Sequence, residues 1–502
     1  MKVYDTLTRQ LKEITVINRP LTMYVCGLTP YSPPHLGHAM KSIVFDVLRR
    51  YIEYSGVEVI HVENITDIDD KMIKTARENH KTVTEIAEEN TKIYFDQMNA
   101  LNVLRPHSIP KVTEEIATII SIIKKLQDRE YAYVVEGDVY FRVRKSKYYG
   151  EISGRSLEGL KTVARVDLNP LKEDPLDFVL WKSKKPEEPS WESPWGEGRP
   201  GWHIECTAMV NRYLGCHIDI HGGGQDLIFP HHENENAQSE AFTLSRPMAS
   251  HWVHNGLLRY GDDKMSKSIG NLVFVSDIIS KFSSDALRLF FLTSHYRSSL
   301  TFSEKAIESQ EAGLSRLKNA LIPPNEIASK KVLVVDKDVV LFEEAMDNDL
   351  NTPQALAILF GIVTKINHAK SLGEDVLSAQ EILMKLSKVL GLTLHSDNAL
   401  PAHLFSQVLE FTDQIKARVI ESGNTESVQK LSNALDNFCT GEVDNDTRNV
   451  YLTNLLDGII ETRNYLRSNK FYVLSDFVRD GLAELNVVIE DSQDNSFWKY
   501  KR

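Results

Sequence analysis

Cysteine is scarce in this chain. Only four occur in 502 residues, at positions 26, 206, 216 and 439. They are too few and too scattered for a disulfide framework, which points to a reducing compartment. No stretch approaches the roughly 18 consecutive apolar residues that a membrane helix needs. The amino terminus, from Met1 to Lys12, alternates polar and apolar residues and lacks the apolar core of a signal peptide. Together these absences imply a cytoplasmic protein. An excess of positive charge is also missing. A formal net charge of −12 argues against nonspecific coating of nucleic acid, while leaving room for a local basic groove on an acidic body. What is present is ordinary for a globular protein: 42% hydrophobic and 25% charged residues. The length exceeds a single core and suggests about three domains.

The stretch around which the chain is organised begins with the apolar run Leu21 to Val25, read as a buried strand. Cys26 and a Gly/Pro-rich turn follow it, then His35-Leu36-Gly37-His38. After Gly37, Ile43, Val44, Val47, Leu48 and Tyr51 recur at helical spacing. Two histidines therefore stand where a strand hands over to a helix, at the carboxyl edge of an α/β sheet, where helix amides favour bound phosphate. A helix cap with surface histidines is the plainer reading. Val57 to Val62 reads as a second strand. The carboxylates of Asn64 to Lys71 behind it cap the next helix or hold a metal. An amphipathic pattern from Thr82 to about Leu104 completes a first βαβ half.

Between about Arg105 and Pro200 the texture changes. A helix (Glu114 to Gln127) precedes a hairpin-like stretch (Ala132 to Val143), and Trp181, Trp191 and Trp195 amid prolines suggest an irregular packed flap inserted between two halves of a sheet. The basic run Arg142 to Lys147 either touches a polyanion or ends a solvated strand. Beyond it come Gly201 to Cys206, a strand from His217 to His221, and a polar, helix-compatible segment from His231 to Thr243. On a helix His231 and Glu235 share a face. Cys206, one strand earlier, and Cys26 could join them, and two thiolates, an imidazole and a carboxylate suit tetrahedral Zn²⁺. Buried thiols and surface histidines are the competing reading. A loop at Gly261 to Asn271 carries Lys264 and Lys267 three residues apart. It is either solvated or able to cover departing phosphates.

In combination these stretches resemble class I aminoacyl-tRNA synthetases: His35-Leu36-Gly37-His38 is like the HIGH motif, and Lys264 to Ser268 spells KMSKS. Within that class the chain is similar to the cysteinyl-tRNA synthetase family through Tyr24 to Gly27, Asn64 to Lys71, Gly201 to Cys206, Asp219 to Gly224, Phe229 to Glu235, Tyr296 to Ser298 and Asp347 to Pro353. The resemblance implies a Rossmann-type parallel-sheet catalytic domain (first half 1–104, second half 201–255) and a connective insertion (105–200). It further implies a KMSKS and stem-contact region (256–303) and an all-α anticodon-binding region (304–502), enlarged at 393–450. It implies zinc on Cys26, Cys206, His231 and Glu235, and ATP with Mg²⁺ against His35, Gly37 and His38. Lys264 and Lys267 would neutralise the pyrophosphate side, and Thr29, Trp202, His203, His221 and Asp226 would line the cysteine pocket. tRNA(Cys), L-cysteine and ATP are the expected partners, a monomer is the expected state, and no editing domain is expected. A ligase joining cysteine to an amino-sugar shares this catalytic core. The long helical region after Ser303 argues against it.

Overall fold

The computed structural model describes residues 1–15, 20–161, 172–261, 263–264, 272–324, 327–394, 402–422, 445–491 and 496–500. It divides into two compact units, Met1–Leu394 and His395–Arg502.

At the centre of the first unit is a four-stranded parallel sheet in the order Ala249–Asn255, Ile218–Gly224, Leu21–Leu28, Val59–Ile65. Leu21, Met23, Tyr24, Val25 and Leu28 are all buried, as expected of a strand covered on both faces. The chain leaves this strand for Val59–Ile65 on one side through the helix Leu36–Tyr54, and later returns for Ile218–Gly224 on the other. Strand order thus reverses at Leu21–Leu28, and the crevice beyond its carboxyl end is where ligands of open α/β sheets bind.

Gly27 makes that edge possible. Its N–H donates to Asn64 Oδ1 at 2.9 Å, and a Cβ there would stand 1.7 Å from the Asn64 carbonyl oxygen, where the ladder shifts register between Val25 and Leu28. Gly27→Ala is expected to cost about 3 kcal/mol or more by forcing the two strands apart. Gly361→Ala adds a carbon in open space on the helix Thr352–Ser371 and should gain about 0.5–1 kcal/mol. Thermal midpoints of the two variants measure both.

The insertion contains more regular structure than its sequence suggests. It holds a four-stranded antiparallel sheet of Ala132–Val135, Asp138–Phe141, Phe178–Ser183 and Gly198–Pro200, with Trp181 fully buried on its third strand. The irregular flap is therefore corrected to a sheet whose strands lie far apart in sequence.

Helices follow: Glu304–Leu321, Asp336–Asp347, Thr352–Ser371 and Leu377–Val389. The sequence pattern runs Val339 to Ala369 as one helix, but the chain breaks at Asp349 and Leu350, whose φ values are +60° and +52°. The Asp349 carboxylate accepts from Tyr4 N, from Tyr296 Oη (both 2.8 Å) and from the Arg297 guanidinium, which holds the turn. Asn351 then caps the next helix and Pro353 occupies its first turn.

The second unit packs the helices Ala402–Glu421, Asn445–Ser468 and Tyr472–Glu484 around Val408, Ile415, Leu455, Ile459, Val478 and Leu482. The strands Val487–Asp491 and Ser496–Tyr500 pair antiparallel beside them, so among the described residues this unit is helical with an added strand pair. On the second of these strands the Trp498 indole donates to Asp457 Oδ1 at 2.7 Å. The sequence pattern from Ser427 to Phe438 predicts a further helix, and it and Cys439 lie outside the described residues. No helix among the described residues is long and apolar enough to cross a membrane.

Candidate active site

The carboxyl edge of Leu21–Leu28 gathers the sequence candidates. His35 is the N-cap of Leu36–Tyr54: its Nδ1 accepts from Gly37 N at 3.1 Å, and His38 Nδ1 accepts from His35 N at 3.3 Å. The rings stack with centroids 3.9 Å apart. A Cβ on Gly37 would press on the His35 ring at 2.9 Å, so the glycine keeps this imidazole in place. Burial, then His35, Lys41 and Lys71, hold the His38 imidazole well below its usual range. One turn on, Lys41 is buried against Glu63 at 2.6 Å. Tyr94 Oη donates to the same carboxylate oxygen at 2.8 Å and bonds Ser42 Oγ at 2.9 Å. Burial alone would discharge Lys41, and Glu63 outweighs it.

Across the crevice, Cys206 lies on the helix Trp202–Tyr213, ahead of the strand Ile218–Gly224, and His231 precedes the helix Glu233–Thr243 that carries Glu235. Cys26 Sγ is 3.8 Å from Cys206 Sγ and 3.4 Å from Glu235 Oε1. His231 Nε2 is 3.6 Å from Cys206 Sγ and 2.8 Å from Glu235 Oε1. All four residues are buried, and their ligand atoms lie within 4.8 Å of one another. With Zn–S near 2.3 Å and Zn–N or Zn–O near 2.0–2.1 Å, tetrahedral coordination needs edges of about 3.8 Å between sulfurs, about 3.6 Å from sulfur to nitrogen or oxygen, and about 3.4 Å from nitrogen to oxygen. Three of the four distances match within 0.2 Å of these edges, and the fourth is a hydrogen bond that coordination would replace. The donor set fits zinc.

Electrostatics favour a cation here as well. Burial would raise the Glu235 carboxyl, but His231 and His221 hold it well below the usual range. Burial would likewise raise the Cys206 thiol. The hydrogen bond from Cys26 and the neighbouring His231 outweigh that and bring it to about 6. Cys26 itself is pushed up by burial and by Cys206.

The pocket candidates are placed unevenly. Trp202 stacks on His231 with ring centroids 4.3 Å apart, and His203 Nδ1 lies 2.9 Å from His231 Nδ1. His221 Nε2 lies 2.8 Å from Glu235 Oε2, with its ring flat on Trp252. Thr29 follows the first central strand directly. Asp226 is exposed on the turn Gln225–Leu227, its carboxylate over Gly224. Lys264 lies on the two-residue strand Asp263–Lys264, paired with Arg259, whereas Lys267 and the rest of KMSKS lie outside the described residues. Of the Asn64 to Lys71 carboxylates, Asp69 caps the next helix through Met72 N at 2.6 Å, and Asp67 accepts from Thr113. They cap and brace, and among the described residues they join no metal-ligand cluster.

Sequence reasoning missed a histidine relay. His232 Nε2 lies 3.3 Å from Cys26 Sγ, its Nδ1 lies 2.7 Å from His254 Nε2, and His254 Nδ1 lies 2.7 Å from Thr6 Oγ1. Cys26, His221, His232 and Glu235 form a second group that could hold a metal. There both His232 nitrogens already have neighbours, as suits an outer partner that orients a ligand. The signal available was the doublet His231-His232, of which only the first fits the four-residue spacing to Glu235.

Residues 13–312 match the family described as tRNA synthetases class I (C) catalytic domain, and residues 341–395 match the DALR domain. The chain is 42% identical to the cysteine–tRNA ligase of Dehalococcoides mccartyi strain BAV1, over all of both chains. It is 47% identical to that of Caldicellulosiruptor saccharolyticus, over 82% of this chain and 91% of the other. A methionyl-tRNA synthetase of Mycobacterium tuberculosis bound by methionyl-adenylate superposes with a TM-score of 0.50 at 15% identity, over 75% of this chain and 88% of that one. The ternary LeuRS–tRNA–LeuAMS complex of Agrobacterium radiobacter K84 gives 0.53 at 9%, over 76% and 85%; both likenesses speak to the fold alone. End-to-end identity at this level, over a parallel sheet with its histidines and thiols at one edge, means that the chain belongs to the cysteine–tRNA ligase family of class I aminoacyl-tRNA synthetases.

Proposed function

We propose that this protein activates L-cysteine with ATP and transfers it to the terminal adenosine of tRNA(Cys). The observation that supports this most is the convergence of Cys26, Cys206, His231 and Glu235 beside the histidine-capped helix, in a chain of this family. Zinc held by these four residues supplies a soft Lewis acid that favours a deprotonated thiol over the hydroxyl of serine. Trp202, His203 and His221 wall the cysteine pocket, with Thr29 at its edge, and Asp226 meets the substrate ammonium.

His35 and His38 hold the phosphates of ATP, which arrives with Mg²⁺, at the start of the helix. A carboxylate oxygen of cysteine attacks the α-phosphorus, the P–O bond to pyrophosphate breaks, and cysteinyl-adenylate forms. Lys267, helped by Lys264, neutralises the leaving pyrophosphate. Positioning and charge suffice, because such transfers need little covalent help from the protein. The 2′-hydroxyl of the terminal adenosine then takes the acyl group and AMP leaves. Residues 1–104 and 201–255 form the catalytic halves, 105–200 the connective insertion, 256–303 the stem-contact region, and 304–502 the anticodon-binding part.

ATP–pyrophosphate exchange tests the activation step. Exchange should depend on cysteine and exceed that with serine by more than about 100-fold, the limit for a pocket that reads only size and shape. Dialysis against a chelator should abolish it and zinc should restore it. Exchange that is equal with serine, or indifferent to chelation, would overturn the metal reading. Charging of an amino-sugar in place of tRNA would overturn the acceptor.

A further inference from the structure

Three stretches distant in sequence build a pocket of about 470 Å³ that the proposed reaction does not use: the turn Leu7–Arg9, the loop from Lys147 to Arg155, and Arg246 ahead of the last central strand. Its volume lies within the range of small-ligand sites, about 300–1,000 Å³. Arg9, Lys147, Arg155 and Arg246 line it and all four are exposed, in a chain whose net charge is −12. The one carboxylate in the lining, Glu151, pairs with Arg246, which also meets Glu240 at 3.3 Å. Arg9 donates instead to the backbone carbonyl of Glu151 at 3.3 Å, and among the described residues Arg9, Lys147 and Arg155 have no carboxylate partner. The rest of the basic run is spent elsewhere: Arg142 pairs with Glu173, Arg144 with Asp174 and Lys145 with Glu130.

The pocket has an aromatic face as well. The Arg246 guanidinium stands 3.5 Å from the centroid of Tyr148, and Lys147 Nζ 5.3 Å from it. Two backbone features hold the cations in place. Arg9 has φ +58°, a left-handed conformation costly for a residue with a long side chain, at the turn that aims it into the pocket. Gly154 has φ +70°, and a Cβ there would collide with the Arg9 guanidinium. The loop is anchored from behind: Gly150 N and Ser153 N each donate to the Glu233 carboxylate at 2.8 Å, and Tyr149 Oη donates to Asn234.

We propose that this pocket binds a nucleoside phosphate, in an RNA chain or free, with its phosphate against Arg9, Lys147 and Arg155 and its base on Tyr148. The site is separate from the ATP cradle at His35 and His38. Only its RNA arm rests on the function proposed above. Stacking on an aromatic ring and neutralisation of phosphate by flanking cations are the two contacts that bind nucleotides without reading their sequence.

The test uses the full chain and the variants Arg9→Ala/Arg155→Ala and Tyr148→Leu. Charging of tRNA(Cys) by the wild type is measured first. If there is none, the reading above fails by itself and the cytidine arm alone decides this one. If the source is RNA, the double variant binds tRNA(Cys) at least 5-fold more weakly, and its slope of log K against log salt is shallower by about 1.5, as two lost phosphate contacts require. Tyr148→Leu weakens binding without changing that slope, and cysteine-dependent exchange is unchanged in both. If the source is a free nucleotide, the wild type binds cytidine 5′-monophosphate by calorimetry, both variants lose it, and tRNA affinity is unaltered. Should neither tRNA affinity nor cytidine monophosphate binding respond to either variant, the proposal is overturned.

Discussion

Cys206→Ser is expected to leave the chain folded and to empty the proposed zinc site. Changing an outer partner of a zinc ligand already costs about 10- to 100-fold in metal affinity, so loss of a thiolate ligand should exceed about 100-fold. Zinc measured after dialysis should fall from about one per chain to a small fraction. The substitution is nearly isosteric at a fully buried position, so circular dichroism and the thermal midpoint of the metal-free form should stay close to those of metal-free wild type. Cysteine activation should fall with the metal, and Glu235→Gln should behave in the same direction by removing the charge shared by His221 and His231. A variant at position 206 that retains full zinc and full activity would exclude the proposed quartet and leave the group of Cys26, His221, His232 and Glu235 as the metal site.

The largest stability effect is expected at Arg288. Arg288 is fully buried on the helix Ser284–Leu292, where it pairs with Asp46 of the histidine-capped helix. It also donates to the carbonyls of Leu101 (2.7 Å) and Leu390 (3.2 Å), each at the carboxyl end of a different helix. One guanidinium thus satisfies two helix ends and a buried carboxylate. Arg288→Met keeps the volume and removes all of these bonds, which should cost about 3–5 kcal/mol, the usual result of stripping one partner from a buried pair. Asp46→Asn in the same chain should recover part of the loss, because the stranded charge is then gone, although Arg50 still contacts that side chain at 2.9 Å. Denaturation followed by tryptophan fluorescence reads this well, since five of the six tryptophans lie in residues 1–394. A loss under about 1 kcal/mol would mean that water reaches the pair and screens it.

Much of the architecture could be read from local chemistry. The strand at Leu21, the helix after Gly37 and the hairpin after Ala132 announce themselves by periodicity and turn residues, and the segment carrying Glu235 by its polar, helix-compatible composition. Spacing of four residues placed His231 and Glu235 together, but nothing local could place Cys206 beside Cys26, because their 3.8 Å approach joins segments 180 residues apart. The family resemblance supplied that link. Illegible features share this long-range character. The insertion's sheet pairs Asp138–Phe141 with Phe178–Ser183, and the break at Asp349 depends on Tyr4, Tyr296 and Arg297 from elsewhere in the chain. The clue to that break, Asp347-Asn348-Asp349-Leu350-Asn351-Thr352-Pro353, is full of turn formers. An apolar pattern on both sides hid it.

The mutual capping of His35 and His38 restricts what this pair can do chemically. Each ring has given its Nδ1 lone pair to a backbone N–H, so a neutral imidazole must carry its proton on Nε2. In that tautomer the pair can offer N–H groups to an oxygen-rich ligand but has no free lone pair with which to accept a proton. General base chemistry at this helix start is thereby closed off, and acidification that protonates either Nδ1 would first release the cap.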